Sequence, residues 1–80
     1  MLQAYIRGAL GRAHYEILED DGSSYGEIRE FEGVYANADA LETCREELQE
    51  VLEEWILLRV SRDLPLPTVD GIELQVRKVG

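Results

Sequence analysis

The apolar residues between positions 41 and 56 recur at the spacing of one helix face. At about 100° per residue, they fall on a single stripe that comprises Leu41, Cys44, Leu48, Val51, Leu52, Trp55 and Ile56. The opposite side carries Glu42, Glu46, Glu47, Glu50, Glu53 and Glu54, with Leu57 as the one apolar residue among them. A helix with one apolar stripe must bury it against another layer. The sequence therefore predicts a long amphipathic helix over residues 40–60, with Asp39 capping its first turn while Glu42 reaches back.

The segment before this helix predicts a short helix followed by strands. Residues 1–12 place apolar side chains at helical spacing. Residues 13–38 alternate with a period of two in "HYEILE", pass through turn residues in "DDGSS", and continue as "YGEIREF" and "GVYANAD". This pattern predicts a hairpin and a third strand that is reached through a turn at Gly33.

The segment after the long helix predicts a connector and a last strand. Residues 63–71 contain two prolines, which lack the N–H that a helix requires, so this stretch is expected to be extended. Residues 72–79 alternate again and predict a C-terminal strand. The order α-β-β-β-α-β predicts one α+β domain over residues 1–80, with the long helix packed on one face of a small antiparallel sheet of three to four strands.

The charge of the chain narrows the classes of partner. Asp and Glu outnumber Lys and Arg by 17 to 8, which gives a formal net charge of -9. This charge repels nucleic acid phosphates and anionic membranes and favours a cationic partner, although a need for solubility would explain it equally well. A lone cysteine, the lack of a signal peptide and the lack of a long apolar run predict a cytoplasmic protein without a membrane span.

The residues that carry chemistry form no recognisable active site. The single histidine, His14, is expected on the exposed side of the first strand, and Cys44 on the buried helix stripe. The acidic residues Glu19, Asp20 and Asp21 adjoin a glycine between two strands, which favours a hairpin turn over a Mg²⁺ or Ca²⁺ site. We therefore expect no catalytic residue, no metal site and no cofactor, and we expect that the chain is not an enzyme.

The stretch "YGEIREFEGVYANADALETCREELQEVLEEWILLRV", followed by "LPLP", resembles the HicB-like antitoxin family. The residues that match its strands, Gly-Val turn and long helix are Tyr25, Gly26, Glu27, Ile28, Gly33, Val34, Ala36, Glu42, Cys44, Leu48, Val51 and Trp55. The sequence departs from the family pattern at Arg29 and Glu32, where prolines are usual, at Ala38, where glycine is common, and at Asp39–Ala40, where Thr or Ser usually caps the helix. The resemblance covers residues 13–68.

This resemblance implies a partial ribonuclease-H-like fold and an antitoxin function. Family members neutralise a small basic mRNA-cleaving toxin, here a HicA-like ribonuclease, and we expect a homo-oligomer, dimer or tetramer, paired through exposed strand edges. The chain ends shortly after the last predicted strand, so direct operator binding is not expected. The candidate partner-binding residues are Glu46, Glu50, Glu53, Leu57, Tyr35 and Tyr25. Two alternatives remain open at this point: an orphan domain without a toxin, and a metal-dependent hydrolase that uses Asp20, Asp21 and helix carboxylates.

Overall fold

A computed structural model describes residues 2–72 and contains two helices and three strands. Its elements are α1 (Leu2–Leu10), β1 (His14–Ile17), β2 (Ser24–Glu27), β3 (Tyr35–Ala38) and α2 (Leu41–Ser61). The strands form one antiparallel sheet in the order β1-β2-β3, and α2 packs on it. The predicted α+β class, with a long helix on one face of the sheet, is confirmed.

The face of the sheet beneath α2 is built from small residues. Gly26 pairs with Ala36, and Ser24 pairs with Ala38. Directly paired residues of antiparallel strands point to the same side of a sheet, so these four residues form one continuous surface. Without bulky side chains on this surface, the helix comes close enough for the Cys44 thiol to donate to the carbonyl oxygen of Ala36, with Sγ and O 3.6 Å apart.

The core lies between this surface and the apolar stripe of α2. Cys44, Leu48, Leu52 and Ile56 are all buried, whereas Leu41 at the start of the stripe is 48% exposed. The rest of the buried apolar core consists of Tyr5, Ala9, Ile28, Phe31, Val34, Ala36 and Val69. The apolar stripe of α2 therefore shares one core with residues of α1, β3, the β2–β3 loop and the segment after α2.

The loop between β2 and β3 is tied to the core by one aromatic residue and one hydrogen bond. Phe31 is buried, and its ring centroid lies 5.0 Å from that of Trp55 and 6.2 Å from that of Tyr5. Trp55 donates its indole N–H to the carbonyl oxygen of Glu32, at 2.9 Å. Gly33 adopts a φ of 93°, a conformation that glycine adopts without steric cost. The Gly-Val turn that was predicted from sequence is thus held directly against α2.

The segment after α2 returns to α1 through a tight turn. Val69 and Ile72 exchange two backbone hydrogen bonds across Asp70 and Gly71, both of which have positive φ. Gly8 of α1 makes room for this turn, because a Cβ at that position would lie 2.7 Å from a carboxylate oxygen of Asp70. The predicted connector therefore ends in a two-residue turn. The predicted strand over 72–79 lies, from residue 73 onward, outside the described residues.

The prediction that Asp39 caps α2 is wrong. The residue in the N-cap position is Ala40, with extended φ and ψ of -120° and 149°, and no side chain caps the helix there. Strand β3 continues through Ala38, so the chain turns only at residues 39–40 and the first helical residue is Leu41. Asp39 therefore precedes the cap by one residue, and Glu42 lies one residue too early in the helix to complete a capping box.

Burial predicts a large loss of stability for one leucine truncation on α2 and almost none for another. Leu48→Ala removes a side chain with no exposed surface and is expected to lower the free energy of unfolding by about 2–5 kcal/mol. Leu57 is 69% exposed, so Leu57→Ala serves as a matched control and is expected to change the value by less than about 0.5 kcal/mol. Urea unfolding followed by circular dichroism measures both values. Equal losses in the two variants would contradict the orientation of α2.

Candidate partner-binding surfaces

The sheet face that points away from α2 carries the two candidate tyrosines. Across the three strands, one row of paired residues is Glu16, Tyr25 and Asn37, and the next row is His14, Glu27 and Tyr35. We call these six residues the open face. They share one side of the sheet because the residues they alternate with lie on the α2 side. Among residues 2–72, no helix or strand packs over this face.

The two tyrosine rings lie against each other on the open face. Their centroids are 6.3 Å apart, their planes are inclined by 26°, and Tyr35 is 59% exposed. The pKa of the Tyr25 hydroxyl is raised, mainly by burial and further by the nearby carboxylates of Glu27 and Glu16. Tyr25 therefore keeps its proton, with the carboxylate of Glu27 close to its hydroxyl. The result is an aromatic pair bordered by negative charge.

The outer side of α2 is a second, acidic surface. All six of its glutamates are exposed, and none of them forms a salt bridge within residues 2–72. Glu53 accepts a hydrogen bond from the side-chain amide of Gln49, at 3.1 Å. Glu46, Glu50, Glu53 and Leu57 project within one narrow sector of the helix, opposite its buried stripe. We call these four residues the acidic face.

The structure divides the six predicted partner-binding residues into two groups. Tyr25 and Tyr35 belong to the open face, whereas the other four belong to the acidic face. The helix and the sheet lie between the two groups, because α2 covers the sheet on the side away from the tyrosines. A compact partner that contacts one group therefore does not reach the other on the same chain.

The sequence pattern missed the exposed apolar side chain at the sheet edge. Ile17 alternates with polar neighbours as a half-buried residue does, yet it is 74% exposed. It points to the α2 side, but β1 is an edge strand and α2 covers mainly β2 and β3. Tyr15, on the same side of β1, packs over Gly26, where a Cβ would lie 2.6 Å from its ring. Alternation reveals which residues share a face but not which strand lies at the edge.

A shallow apolar groove between α1 and α2 was also missed. Leu2 and Ile6 of α1 line it together with Ile56 and Leu57 of α2. Leu57 therefore connects this groove to the acidic face. The signal present in the sequence was the helical spacing of residues 2 and 6, which predicts a stripe but does not identify the helix that it faces.

Two of the residues that could carry catalysis or metal binding, Cys44 and Asp21, lie in the core and in a turn. Cys44 is fully buried, and burial raises the pKa of its thiol, as does the nearby Glu47. Asp21 accepts the backbone N–H of Ser23 at 2.9 Å in the β1–β2 turn, and hydrogen bonding from the side chain and then the backbone of Ser23 lowers the pKa of its carboxyl group. Within residues 2–72, no group of three or more His, Cys, Asp or Glu side chains is arranged to hold a metal ion. No helix of the described segment combines the length and apolarity needed to cross a membrane.

Comparison with known proteins assigns the chain to a family. A family model described as UPF0150-like matches residues 4–67, and this family includes HicB-like antitoxin-type proteins. No curated protein matches the sequence. The crystal structure of TTHA0281 from Thermus thermophilus is similar to this chain over 96% of its length and 95% of its own, with 32% sequence identity and a TM-score of 0.85. The chain belongs to the UPF0150-like family.

Proposed function

We propose that this chain is a HicB-like antitoxin, which neutralises a small basic mRNA-cleaving toxin of the HicA-like type by covering its RNA-binding surface. Membership of the UPF0150-like family supports an antitoxin-related function. The observation that carries the proposal further is the acidic face, where exposed carboxylates that form no salt bridge in the described chain lie in a row with one exposed leucine.

The acidic face has the chemistry needed to compete with RNA. A ribonuclease that grips phosphates must present Lys and Arg. Glu46 and Glu53 lie about 10 Å apart along the helix axis at 1.5 Å per residue, with Glu50 between them. This row offers several carboxylates to such a surface, and its negative field speeds encounter with a basic protein. Leu57, at the end of the row, supplies the apolar contact that slows dissociation.

In this proposal the chain acts in the cytoplasm as a binding protein without catalysis or cofactor. The net charge of -9 disfavours direct contact with RNA or DNA, because phosphates and carboxylates repel each other. The antitoxin therefore acts on the toxin and not on the nucleic acid. An orphan domain would have the same fold, but it would lack a basic protein to bind.

The proposal includes self-association through strand β1. Leu18 donates its backbone N–H to the carbonyl oxygen of Ser23, at 2.8 Å, so hydrogen bonds to β2 fall at alternate residues. The backbone groups of Tyr15 and Ile17 consequently point away from β2. Among residues 2–72, no strand pairs with this edge. An unprotected edge with an exposed isoleucine favours pairing with another chain.

Co-expression with the neighbouring reading frame tests the proposed function. If that frame encodes a small basic protein, we expect the two proteins to co-purify and the chain to suppress cleavage of a model mRNA. The control is the same cleavage assay without the chain. Undiminished cleavage in the presence of excess chain would overturn the proposal.

Charge reversal tests the acidic face. The triple variant Glu46→Lys, Glu50→Lys and Glu53→Lys is expected to weaken toxin binding by at least about tenfold, since each lost charge pair is worth about 0.5–1 kcal/mol. The thermal unfolding midpoint is expected to change little, because all three side chains are exposed. Calorimetric titration and thermal melting measure the two effects.

A second triple variant separates the local surface from the overall charge. Glu19→Lys, Asp20→Lys and Glu30→Lys produce the same change in net charge at exposed positions outside α2. This control is expected to slow association but to retain most of the affinity. If both triple variants weaken toxin binding equally, the glutamates of the acidic face contribute only to solvation and to the overall negative field, and the proposed contact is wrong.

Replacement of Ile17 tests self-association through β1. Ile17→Lys puts a charge on the strand edge, a substitution that opposes edge-to-edge pairing. We expect the molar mass from light scattering to fall towards that of a monomer. Leu57→Lys introduces the same charge at a comparably exposed site on α2 and is expected to leave the mass unchanged. An unaltered oligomer in the Ile17 variant would exclude β1 as the contact.

A further inference from the structure

We infer that the open face recognises an arginine side chain of a basic partner, through stacking on Tyr35 and hydrogen bonding to Glu27. The inference takes the basic character of the partner from the proposed function. It identifies a contact separate from the acidic face, since the two surfaces lie on opposite sides of the domain.

The open face combines the two groups that a guanidinium needs. Tyr35 presents a ring that is 59% exposed, and Glu27 is its direct partner on the adjacent strand. Directly opposed residues have Cβ atoms about 5 Å apart. A planar cation lying on the ring therefore has a carboxylate within reach of its N–H groups.

The other residues of this face reinforce the arrangement. The ring of Tyr25 lies beside that of Tyr35 and extends the aromatic surface. Glu16, the cross-strand partner of Tyr25, adds a second carboxylate. None of the six open-face residues is Lys or Arg.

A neighbouring arginine already uses Glu27. Arg29 donates its Nε–H to a carboxylate oxygen of Glu27 at 3.5 Å, and its side chain is 68% exposed. A pair of this length between solvated side chains is weak. It demonstrates that the carboxylate is accessible to a guanidinium, and a better placed arginine from a partner displaces it at little cost.

The geometry favours arginine over lysine. A guanidinium is planar and weakly hydrated, so it stacks on an aromatic ring and donates several hydrogen bonds at once, whereas an ammonium is a compact, strongly hydrated charge. The same chain contains such a contact, in which the guanidinium carbon of Arg59 lies 4.6 Å from the centre of the Trp55 ring. The overall negative charge of the chain attracts both cations equally. A preference for arginine over lysine therefore measures the stacking and hydrogen bonding at the open face.

Two peptides of equal charge test the inference. Acetylated and amidated tri-arginine and tri-lysine are titrated into the ¹⁵N-labelled chain and followed by NMR. We expect tri-arginine to shift the backbone resonances of β2 and β3 and to bind roughly threefold more tightly than tri-lysine. Equal affinity, or shifts confined to α2, would overturn the inference.

Substitutions of Tyr35 test whether the preference for tri-arginine over tri-lysine arises at this ring. Tyr35→Leu is expected to abolish it while leaving the tri-lysine affinity unchanged, and Tyr35→Phe, which retains the ring, is expected to keep it. Tyr15→Leu is the matched control, because Tyr15 lies on the other side of the sheet. If the preference for tri-arginine survives Tyr35→Leu, it arises at another site and the inference is wrong.

The two proposals can fail separately. Failure of the toxin proposal would leave the peptide result intact, whereas equal peptide affinities would leave the acidic-face result intact.

Discussion

The packing of α2 against the small-residue surface of β2 and β3 is the interaction on which the rest of the domain depends. Gly26 and Ala36 leave space for the helix, so Cys44 and Leu48 enter the core with no exposed surface. In a chain of 80 residues the core is small, and burial of apolar area supplies most of the stability. With this contact in place, α1 and the β2–β3 loop have a surface to cover.

The same packing creates the two candidate binding surfaces. Because the helix buries one stripe, its glutamates are displayed together on the outside, where none of them forms a salt bridge within residues 2–72. Because the helix covers only one side of the sheet, Tyr25 and Tyr35 remain on the other. Both outer layers of the domain therefore display carboxylates, beside Leu57 on the helix and beside the two tyrosines on the sheet.

The sequence predicted the fold class and the long helix because both follow from periodicity, which is a local property of the chain. It failed at the start of α2, where β3 extends to Ala38 and shifts the helix past the expected cap at Asp39. It also failed at Ile17, whose alternation is that of a buried residue. The first failure depends on where β3 ends, and the second depends on the position of β1 at the edge of the sheet. A pattern within one element contains neither.

The candidate partner-binding residues show the same difference between local pattern and tertiary structure. The sequence by itself determined that Glu46, Glu50, Glu53 and Leu57 share a helix side, because helical geometry fixes their relative directions. Only the tertiary structure decided that Tyr25 and Tyr35 lie next to each other, and that they face away from the acidic side chains. Their contact depends on the register between β2 and β3, and their separation from α2 depends on which side of the sheet the helix covers. Register and layer choice are set by packing between segments distant in the chain.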